Sequence, residues 1–532
     1  MKTSIETTSG TPADFLASVD VDAPLFILPG AKTFTYGELR RDSAALAAVL
    51  HSQGVERGDT LAVCLGNQPE WMVVAFAAWR LGAAVLALNP RLGEKEISDL
   101  IRRTGSKALF LAPSYRNGAL AATIGRVSAK DSATLRLIVS CDNTSAEGLV
   151  PGTHALSLTS LPQAEPVGVL AEPGDPCLYI ATSGTTSLPK IVCHRQDRVT
   201  RHCQNVTNAI GFDADSRVLL AVPLCGAFGF AIAMSTIASG VPLVMLDTFK
   251  PTEVSIIINE MSVTHIMGTN DMLDSLLKVA PGERPFPTLR MFGHANFTPG
   301  LTKLPEMAEQ RGVHMRGLYG LSETLAFVAA RAAADPLEVR AEGGGALTTP
   351  EAKLRIADPV TGQEQPKGTL GEIQILSPNV MTGYLNDPER TAGAFTDDGY
   401  LRTGDMGLRG PNDTFTFIAR INDVLRIGGY LVAPEEIEVV IRADPAVDQC
   451  QVVAVSLPQG PRPVAFIVAA PGQTPDTAAL IERCREQLAI YKVPVRIYVI
   501  DEIPATNGPN GLKVKKGVLR DIASKQLAAE DA

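Results

Sequence analysis

Lys190 closes a run, Thr182-Ser-Gly-Thr-Thr-Ser-Leu-Pro189, whose hydroxyls and glycine have little to offer a hydrophobic core. Small side chains let the backbone approach an anion, successive N–H groups form a nest for it, hydroxyls add neutral donors, and lysine adds a mobile positive charge. The chemistry this permits is the gripping of a phosphate. The run is not a Walker A loop: counting from Gly184, Pro189 stands where the second glycine must be, and Ile191 follows the lysine. By composition alone such a run is more often an ordinary surface loop, so its meaning depends on what else the chain carries.

Four other stretches carry more chemistry than a core needs. Leu318-Tyr-Gly-Leu-Ser-Glu-Thr324 follows an apolar strand-like run and offers an aromatic face, a hydroxyl and a carboxylate together. It misses the Gly-x-Ser-x-Gly elbow of hydrolases at Thr324, and no His-Asp pairing supports an acyl-serine enzyme. Tyr400-Leu-Arg-Thr-Gly-Asp405 sets a carboxylate after a glycine turn, which by itself is also what a plain turn looks like. Ala419-Arg-Ile-Asn-Asp-Val-Leu-Arg-Ile-Gly-Gly-Tyr430 holds Arg420 and the Gly428-Gly429 pair. Finally, Pro504 to Arg520 is rich in glycine and bears Lys513, Lys515 and Lys516, a run that a solvated surface would equally show.

The elements that must position these residues follow from apolar runs of strand length alternating with helix-length segments, the pattern of βα units with parallel strands. Strands are expected near 61–65, 83–88 and 107–111, with helices over 70–81 and 94–103 between them. A second set runs through 218–222, 241–246, 264–267, 289–292 and 315–318, with a helix over 253–261. From 343 to 417 the texture changes to short strands with Pro/Gly turns, a β-rich subdomain. Beyond about 423, helices over 434–441 and 477–489 alternate with strands at 451–455, 464–468 and 496–499, a small separate α+β domain. The expectation is an α/β protein with two parallel-sheet βα subdomains and a β-rich subdomain in a large domain, 1–421, and a small mobile domain, 422–532. At 532 residues the chain is too long for one core.

Composition excludes several classes. With 48 basic against 57 acidic residues, a net charge of −9, and no basic stripe with interleaved aromatics, nucleic acid is not expected as a partner. Two apolar stretches resemble membrane spans, but Arg80 interrupts 71–88, and Gly226, Gly229, Gly240 and Pro242 cut 218–246 into buried elements of an α/β sheet, so no membrane span is expected. Eight cysteines without a Cys-x-x-Cys pair, and an N-terminus without a signal-like apolar run, fit reduced thiols in a cytoplasmic protein. Cys193-His194 and His202-Cys203 have metal-type side chains at unfavourable spacing and read better as packing residues and a loop histidine.

Taken together, the five stretches resemble the motif set of the acyl-adenylate-forming enzymes, the superfamily of AMP-forming acyl-CoA synthetases, peptide-synthetase adenylation domains and luciferases. The resemblance runs from Thr33 to Arg520 in the family order. It implies a ligase that uses ATP, Mg²⁺ and coenzyme A. On this resemblance Thr182, Ser183, Gly184, Thr185, Thr186 and Lys190 close over the ATP phosphates, and Tyr319 stacks on adenine. Ser322 contacts phosphate, Glu323 holds Mg²⁺, and Asp405 with Arg420 binds the ribose. Asn422 falls at the hinge of the small domain, and Gly428 and Gly429 belong to the loop that meets the thiol. Lys513 aligns with the adenylation lysine, with Lys515 as the fallback. The chain departs from the family at Ser187, Ile191, Asn422 and Leu512, where glycine, glycine, Asp or Lys, and glycine are more usual.

The family resemblance also places Cys225, Gly226, Phe228, Gly229, His294, Asn296 and Leu318 around the acid. Pro223-Leu-Cys-Gly226 lacks the family histidine, and no Asp stands between Cys225 and Phe230 to meet an α-ammonium. A small apolar lining of this kind suits an aliphatic or alicyclic acid, with aromatic acids still open. The leading reading is a stand-alone acyl-CoA synthetase acting on a small carboxylic acid. A carrier-protein phosphopantetheine supplied in trans is an alternative acceptor, and a ligand-binding homologue with impaired catalysis or a luciferase-like oxidase are readings from other classes. A homodimer is as open as a monomer.

Overall fold

The computed structural model describes residues 10–530 except 183–188, 296–300, 302, 422–423, 428–429, 458–459 and 509–510. Two large sheets organise the N-terminal part. In the first, six parallel strands run in the order Pro176–Ala181, Ala84–Ala87, Thr60–Cys64, Ala108–Leu111, Leu137–Ser140 and His154–Ser157. Ile191–Arg195 and then Gly383–Tyr384 extend its edge in antiparallel fashion. In the second, Met315–Tyr319, Met291–Ala295, His265–Thr269, Val218–Leu220, Leu243–Met245 and Pro24–Ile27 are parallel.

The central parallel strands are buried on both faces, which is why they read as continuous apolar runs rather than alternating ones, whereas the edge strand His154–Ser157 has no buried residue. Thr60–Cys64 and Ala108–Leu111 are buried at every position. Between the sheets lies the main core, filled by the helices Tyr36–Ser52, Pro69–Arg80, Gln196–Ile210 and Ala227–Ser239. Helix Tyr36–Ser52 starts at a capping box, Thr35 with Glu38. Trp71 and Trp79 both meet Phe230 edge-on, at ring centroid separations of 5.8 and 6.0 Å, and the Trp79 indole donates to the Cys177 carbonyl at 2.8 Å. Trp71 to Leu88 is therefore a buried helix and strand, and among the described residues no helix is long and apolar enough to cross a membrane.

The β-rich stretch is an extension of the second sheet. Ala329–Ala330 pairs antiparallel with Met315–Tyr319, and Gly344–Leu347, Phe415–Arg420, Leu401–Arg409, Gly371–Leu376 and Lys353–Ala357 continue the sheet outward, all antiparallel. This continuity places Asp405 and Arg420 on adjacent inner strands of the sheet beyond Tyr319.

A small C-terminal domain follows. Its sheet holds Val447–Leu457, Gly460–Ala469 and Arg496–Val499. Because side chains alternate across a strand, Val452, Ala465 and Ile467 face one core with helices Pro434–Arg442 and Thr477–Gln487, while Val453, Val464 and Phe466 face another with helix Lys516–Glu530. The sequence pattern places most elements within a few residues. It does not place helix Gln196–Ile210, which is half polar and has no strong apolar run to mark it.

Candidate active site

The lysine-bearing run is flanked by two antiparallel strands, Pro176–Ala181 and Ile191–Arg195, rather than by the strand and helix of a Walker A motif. Ala181 pairs with Ile191, and the Thr182 N–H donates to the Lys190 carbonyl at 2.9 Å, closing the loop at its base. Arg103 secures the base by donating to the Pro189 carbonyl at 2.7 Å. Ser183, Gly184, Thr185, Thr186 and Ser187 lie outside the described residues.

The Lys190 ammonium stands 4.7 Å from the centre of the Tyr384 ring and 3.5 Å from its hydroxyl. That hydroxyl donates to Glu323 Oε1 at 2.8 Å. Burial and the neighbouring Glu323 carboxylate push the Tyr384 phenol well up, so it stays a donor. Sequence reasoning passed over Tyr384. Its signal is the Gly383-Tyr384 pair before Asn386-Asp-Pro388, which by itself looks like any turn. Only the pairing of Gly383–Tyr384 with Ile191–Arg195 lays it beside the lysine.

Glu323 sits on a short 3₁₀ turn, Ser322–Thr324, whose entry is capped by the Thr324 hydroxyl accepting from the Leu321 N–H at 3.0 Å. Ser322, half-buried beside it, accepts at its carbonyl from His194 Nε2 at 2.8 Å. The chain then passes through Leu325, Ala326 and Phe327 with φ of 54°, 56° and 42°. Three consecutive non-glycine residues in the left-handed region cost about 1–2 kcal/mol each. Offsetting that cost, all three side chains are buried, Ala326 N–H donates to the Leu321 carbonyl at 2.8 Å, and His202 Nε2 donates to the Leu325 carbonyl at 3.1 Å. Gly320 makes room: a Cβ there would lie 2.5 Å from the Ala326 backbone.

His194 and His202 are thus not loop histidines. One is on strand Ile191–Arg195, the other on helix Gln196–Ile210, and both are buried to about 1% exposure. Burial pushes both imidazoles down to about 4, leaving them neutral with one N–H to donate.

Asp405 follows Gly404, which takes φ +67°, on strand Leu401–Arg409. Its Oδ2 accepts from the Tyr319 hydroxyl at 2.7 Å. Arg420, opposite it in register, brings Nε within 3.0 Å of Oδ1. That approach is not aligned as a hydrogen bond, so Oδ1 is a buried oxygen without a donor among the described residues. Burial raises the Asp405 carboxyl to about 6, against the lowering influence of Arg420 and Tyr319. The Tyr319 ring is 7% exposed, meeting Phe415 edge-on at 5.1 Å and Phe417 at 5.7 Å.

Among the residues expected around the acid, Cys225 and Gly226 lead into helix Ala227–Ser239. Phe228 stacks on Phe327 with centroids 4.9 Å apart and planes at 17°, so the strained turn after Glu323 supplies one wall beside Phe228. Nothing local in the sequence marks the pairing of Phe327 with a residue about a hundred positions away. The space next to Gly229 is taken by the Pro223 carbonyl, 2.2 Å from where a Cβ would stand. Leu318 packs over Gly293, and His294, buried, lies in register with Gly268 and Gly317. Cys225 is pushed by burial up to about 12, which keeps it a thiol. Asn296 lies outside the described residues. Asn67 braces this region: its Nδ2 donates to the Val222 and Leu246 carbonyls and its Oδ1 accepts from Leu224 N–H, tying both sheets at their strand ends.

In the small domain, Asn422, Gly428 and Gly429 are outside the described residues. The backbone of Lys513 lies on Gly511–Val514, opposite Thr506 in a hairpin, and exposed Lys515 donates its N–H to the Pro504 carbonyl at 2.7 Å.

The residues present fit the groups that an adenylating enzyme handles. Buried Oδ1 of Asp405, beside the Arg420 guanidinium, is an acceptor with no hydrogen-bond donor among the described residues, as a ligand hydroxyl would require. Glu323 uses one carboxylate oxygen on Tyr384, and among the described residues no cluster of three metal-ligating side chains surrounds it. A single carboxylate is what Mg²⁺ needs when phosphate oxygens and water supply the rest.

Comparison with known proteins agrees. The description AMP-binding enzyme matches residues 9–385, and AMP-binding enzyme C-terminal domain matches residues 436–508. A feruloyl-CoA synthase of Amycolatopsis is 29% identical over 92% of this chain and 94% of its own length. A 2-succinylbenzoate–CoA ligase of Geobacillus kaustophilus is 30% identical over 89% of this chain and 91% of its own. Among solved structures, ATP-bound MatB from Rhodopseudomonas palustris superposes with a TM-score of 0.82 at 25% identity, covering 97% of this chain and 98% of that one. On the fold, the assembled motifs and these likenesses together, the chain belongs to the AMP-binding enzymes, the family of adenylate-forming acyl-CoA ligases.

Proposed function

We propose that the protein joins an apolar carboxylic acid to AMP from ATP and then passes the acyl group to the thiol of coenzyme A. The observation that carries this reading is the Lys190–Tyr384–Glu323 line, which aligns the base of the phosphate loop with a half-buried carboxylate. Lys190 and Thr182, with Ser183 to Thr186, hold the β- and γ-phosphates, and the Ser322 hydroxyl adds a donor. Glu323 holds Mg²⁺, which when bound neutralises charge on the phosphate oxygens. Tyr319 lends the open sliver of its ring to adenine while its hydroxyl orients Asp405, whose free Oδ1 accepts from a ribose hydroxyl and which Arg420 keeps ionised. The acid carboxylate attacks the α-phosphorus, pyrophosphate leaves, and Lys513 stabilises the developing charge.

In the second step the thiol, losing its proton to solvent, attacks the acyl carbonyl and AMP departs. The division falls at 421/422, with Asn422 as the hinge that withdraws Lys513 and brings Gly428 and Gly429 to the thiol. The Phe228–Phe327 wall and the uncharged lining at Cys225, Gly226 and Leu318 favour an apolar acid. Incubation with ATP, Mg²⁺, coenzyme A and a panel of acids, read by mass spectrometry for acyl-AMP and acyl-CoA separately, tests the reading. Acyl-CoA from an apolar acid is expected. Acyl-AMP that accumulates while coenzyme A is ignored overturns the acceptor, and no AMP with any acid overturns catalysis.

A further inference from the structure

Glu323 is bracketed by two carbonyl anchors that come from one continuous segment. His194, four residues after Lys190, reaches the Ser322 carbonyl at 2.8 Å, one residue before Glu323. His202, farther along the same segment on helix Gln196–Ile210, reaches the Leu325 carbonyl at 3.1 Å, two residues after it. Glu323's own carbonyl accepts from the Met381 N–H at 2.8 Å, within the stretch that presents Tyr384. The turn these bonds hold contains three consecutive left-handed residues, Leu325 to Phe327, a conformation that persists only where its surroundings over-determine it. At its far end the Phe327 carbonyl accepts from the Thr348 hydroxyl at 2.9 Å, and the Phe327 ring lies on Phe228.

We propose that His194 and His202 are positioning residues. They donate to the Ser322 and Leu325 carbonyls, lock the left-handed turn, and thereby fix the Glu323 carboxylate relative to both the phosphate loop and the Phe327 wall of the acid pocket. The inference rests on the reading of Glu323 as the Mg²⁺ carboxylate. Neither imidazole touches substrate. Each acts through the backbone of the turn, and each needs only one N–H directed along the bond it now makes. Since strand 191–195 begins where the phosphate loop ends, the same segment that closes over the phosphates sets the frame of the carboxylate that shares their metal.

The test measures binding of Mg²⁺ with a non-hydrolysable ATP analogue, and of AMP alone, by calorimetry, with thermal melting on every variant. His202→Phe keeps the bulk and removes the donor, and His202→Gln restores an N–H. His202→Phe should weaken the Mg²⁺–analogue complex at least tenfold and AMP less than twofold, and His202→Gln should return the analogue to within threefold of the parent. Adding Ala326→Gly to His202→Phe should recover part of the loss, since glycine takes positive φ without strain. A folded His202→Phe with unchanged analogue binding, or with analogue and AMP weakened equally, overturns the proposal. Should His202→Phe not fold, His202→Gln and His194→Gln decide: analogue binding within threefold of the parent supports the donors, and a tenfold loss in a folded Gln variant overturns them. In the parent, analogue binding should tighten with Mg²⁺ and lose that gain in Glu323→Gln. A parent indifferent to Mg²⁺ overturns the reading of Glu323 and the anchoring together, whereas a Mg²⁺-dependent parent with an unaffected His202→Phe overturns the anchoring alone.

Discussion

Tyr384 donates its hydroxyl to Glu323 at 2.8 Å while its ring lies under the Lys190 ammonium, so one phenol touches both the carboxylate and the cation of the site. A hydrogen bond to a charged group contributes about 1.5–3 kcal/mol. Tyr384→Phe keeps the ring and loses the donor, and should lower kcat/KM for adenylation roughly tenfold to a hundredfold. Pyrophosphate release measured across a Mg²⁺ titration checks it, and a variant with parental Mg²⁺ dependence and rate would remove Tyr384 from the site.

Burial raises the Asp405 carboxyl to about 6, which sets the sign of its pH dependence. Above pH 6 the ionised carboxylate accepts from hydroxyl groups; below it, the protonated group offers a donor where an acceptor is needed. KM for ATP should therefore rise as pH falls through 6, and Asp405→Asn should flatten that part of the profile while raising KM on the order of tenfold, one lost charge-assisted bond. Because the folded pKa is raised above the ordinary value of 3.8, the folded state gains rather than loses stability from this group as pH falls from 6 towards 4. Thermal melts of the parent and of Asp405→Asn over that window read the difference directly.

Lys513→Ala should slow acyl-adenylate formation roughly a hundred- to a thousandfold, a loss of about 3–4 kcal/mol of transition-state stabilisation, and leave thioester formation from supplied acyl-adenylate intact. Lys515→Ala should affect neither step by more than a few fold. Equal loss of both half-reactions in Lys513→Ala would count against its role in adenylation, and a reversed pattern between the two lysines would move the role to Lys515.

Phe228→Ala removes the partner of Phe327 and should enlarge the proposed acid pocket. Loss of the stacked pair costs about 0.5–1.5 kcal/mol beyond its buried area, so a modest fall in Tm is expected. The informative readout is kcat/KM over the acid panel, which should shift towards bulkier acids. A uniform fall for every acid would place Phe228 outside the pocket.

Asn67→Ala leaves the Leu224 N–H and the Val222 and Leu246 carbonyls without their partner in a region where Asn67 is 8% exposed. Each buried group so orphaned costs about 1–3 kcal/mol unless water replaces the side chain. The unfolding midpoint in urea should fall by an amount corresponding to about 2–4 kcal/mol.

The sequence by itself determined the α/β class, because strands buried on both faces must be apolar throughout and the helices between them must be of crossover length; Thr60–Cys64 and Ala108–Leu111 show this directly. It also singled out the Thr182 to Lys190 run, Glu323 and Asp405 as candidates, since a stretch of hydroxyls and glycine, or a carboxylate beside a glycine turn, has chemical meaning even before folding. What only the tertiary structure decided are relationships between distant segments. Tyr384 is a turn residue until antiparallel pairing of Gly383–Tyr384 with Ile191–Arg195 sets it beside Lys190. His194 and His202 are ordinary polar residues until burial makes their N–H groups seek the carbonyls of the Glu323 turn. Phe327 is an ordinary apolar residue until a left-handed backbone, which no local propensity favours, turns it onto Phe228. Residue types carry chemistry locally, but a hydrogen bond or a stacked pair needs two partners at a set distance, and for partners 60 to 190 positions apart only the packed sheets supply that distance.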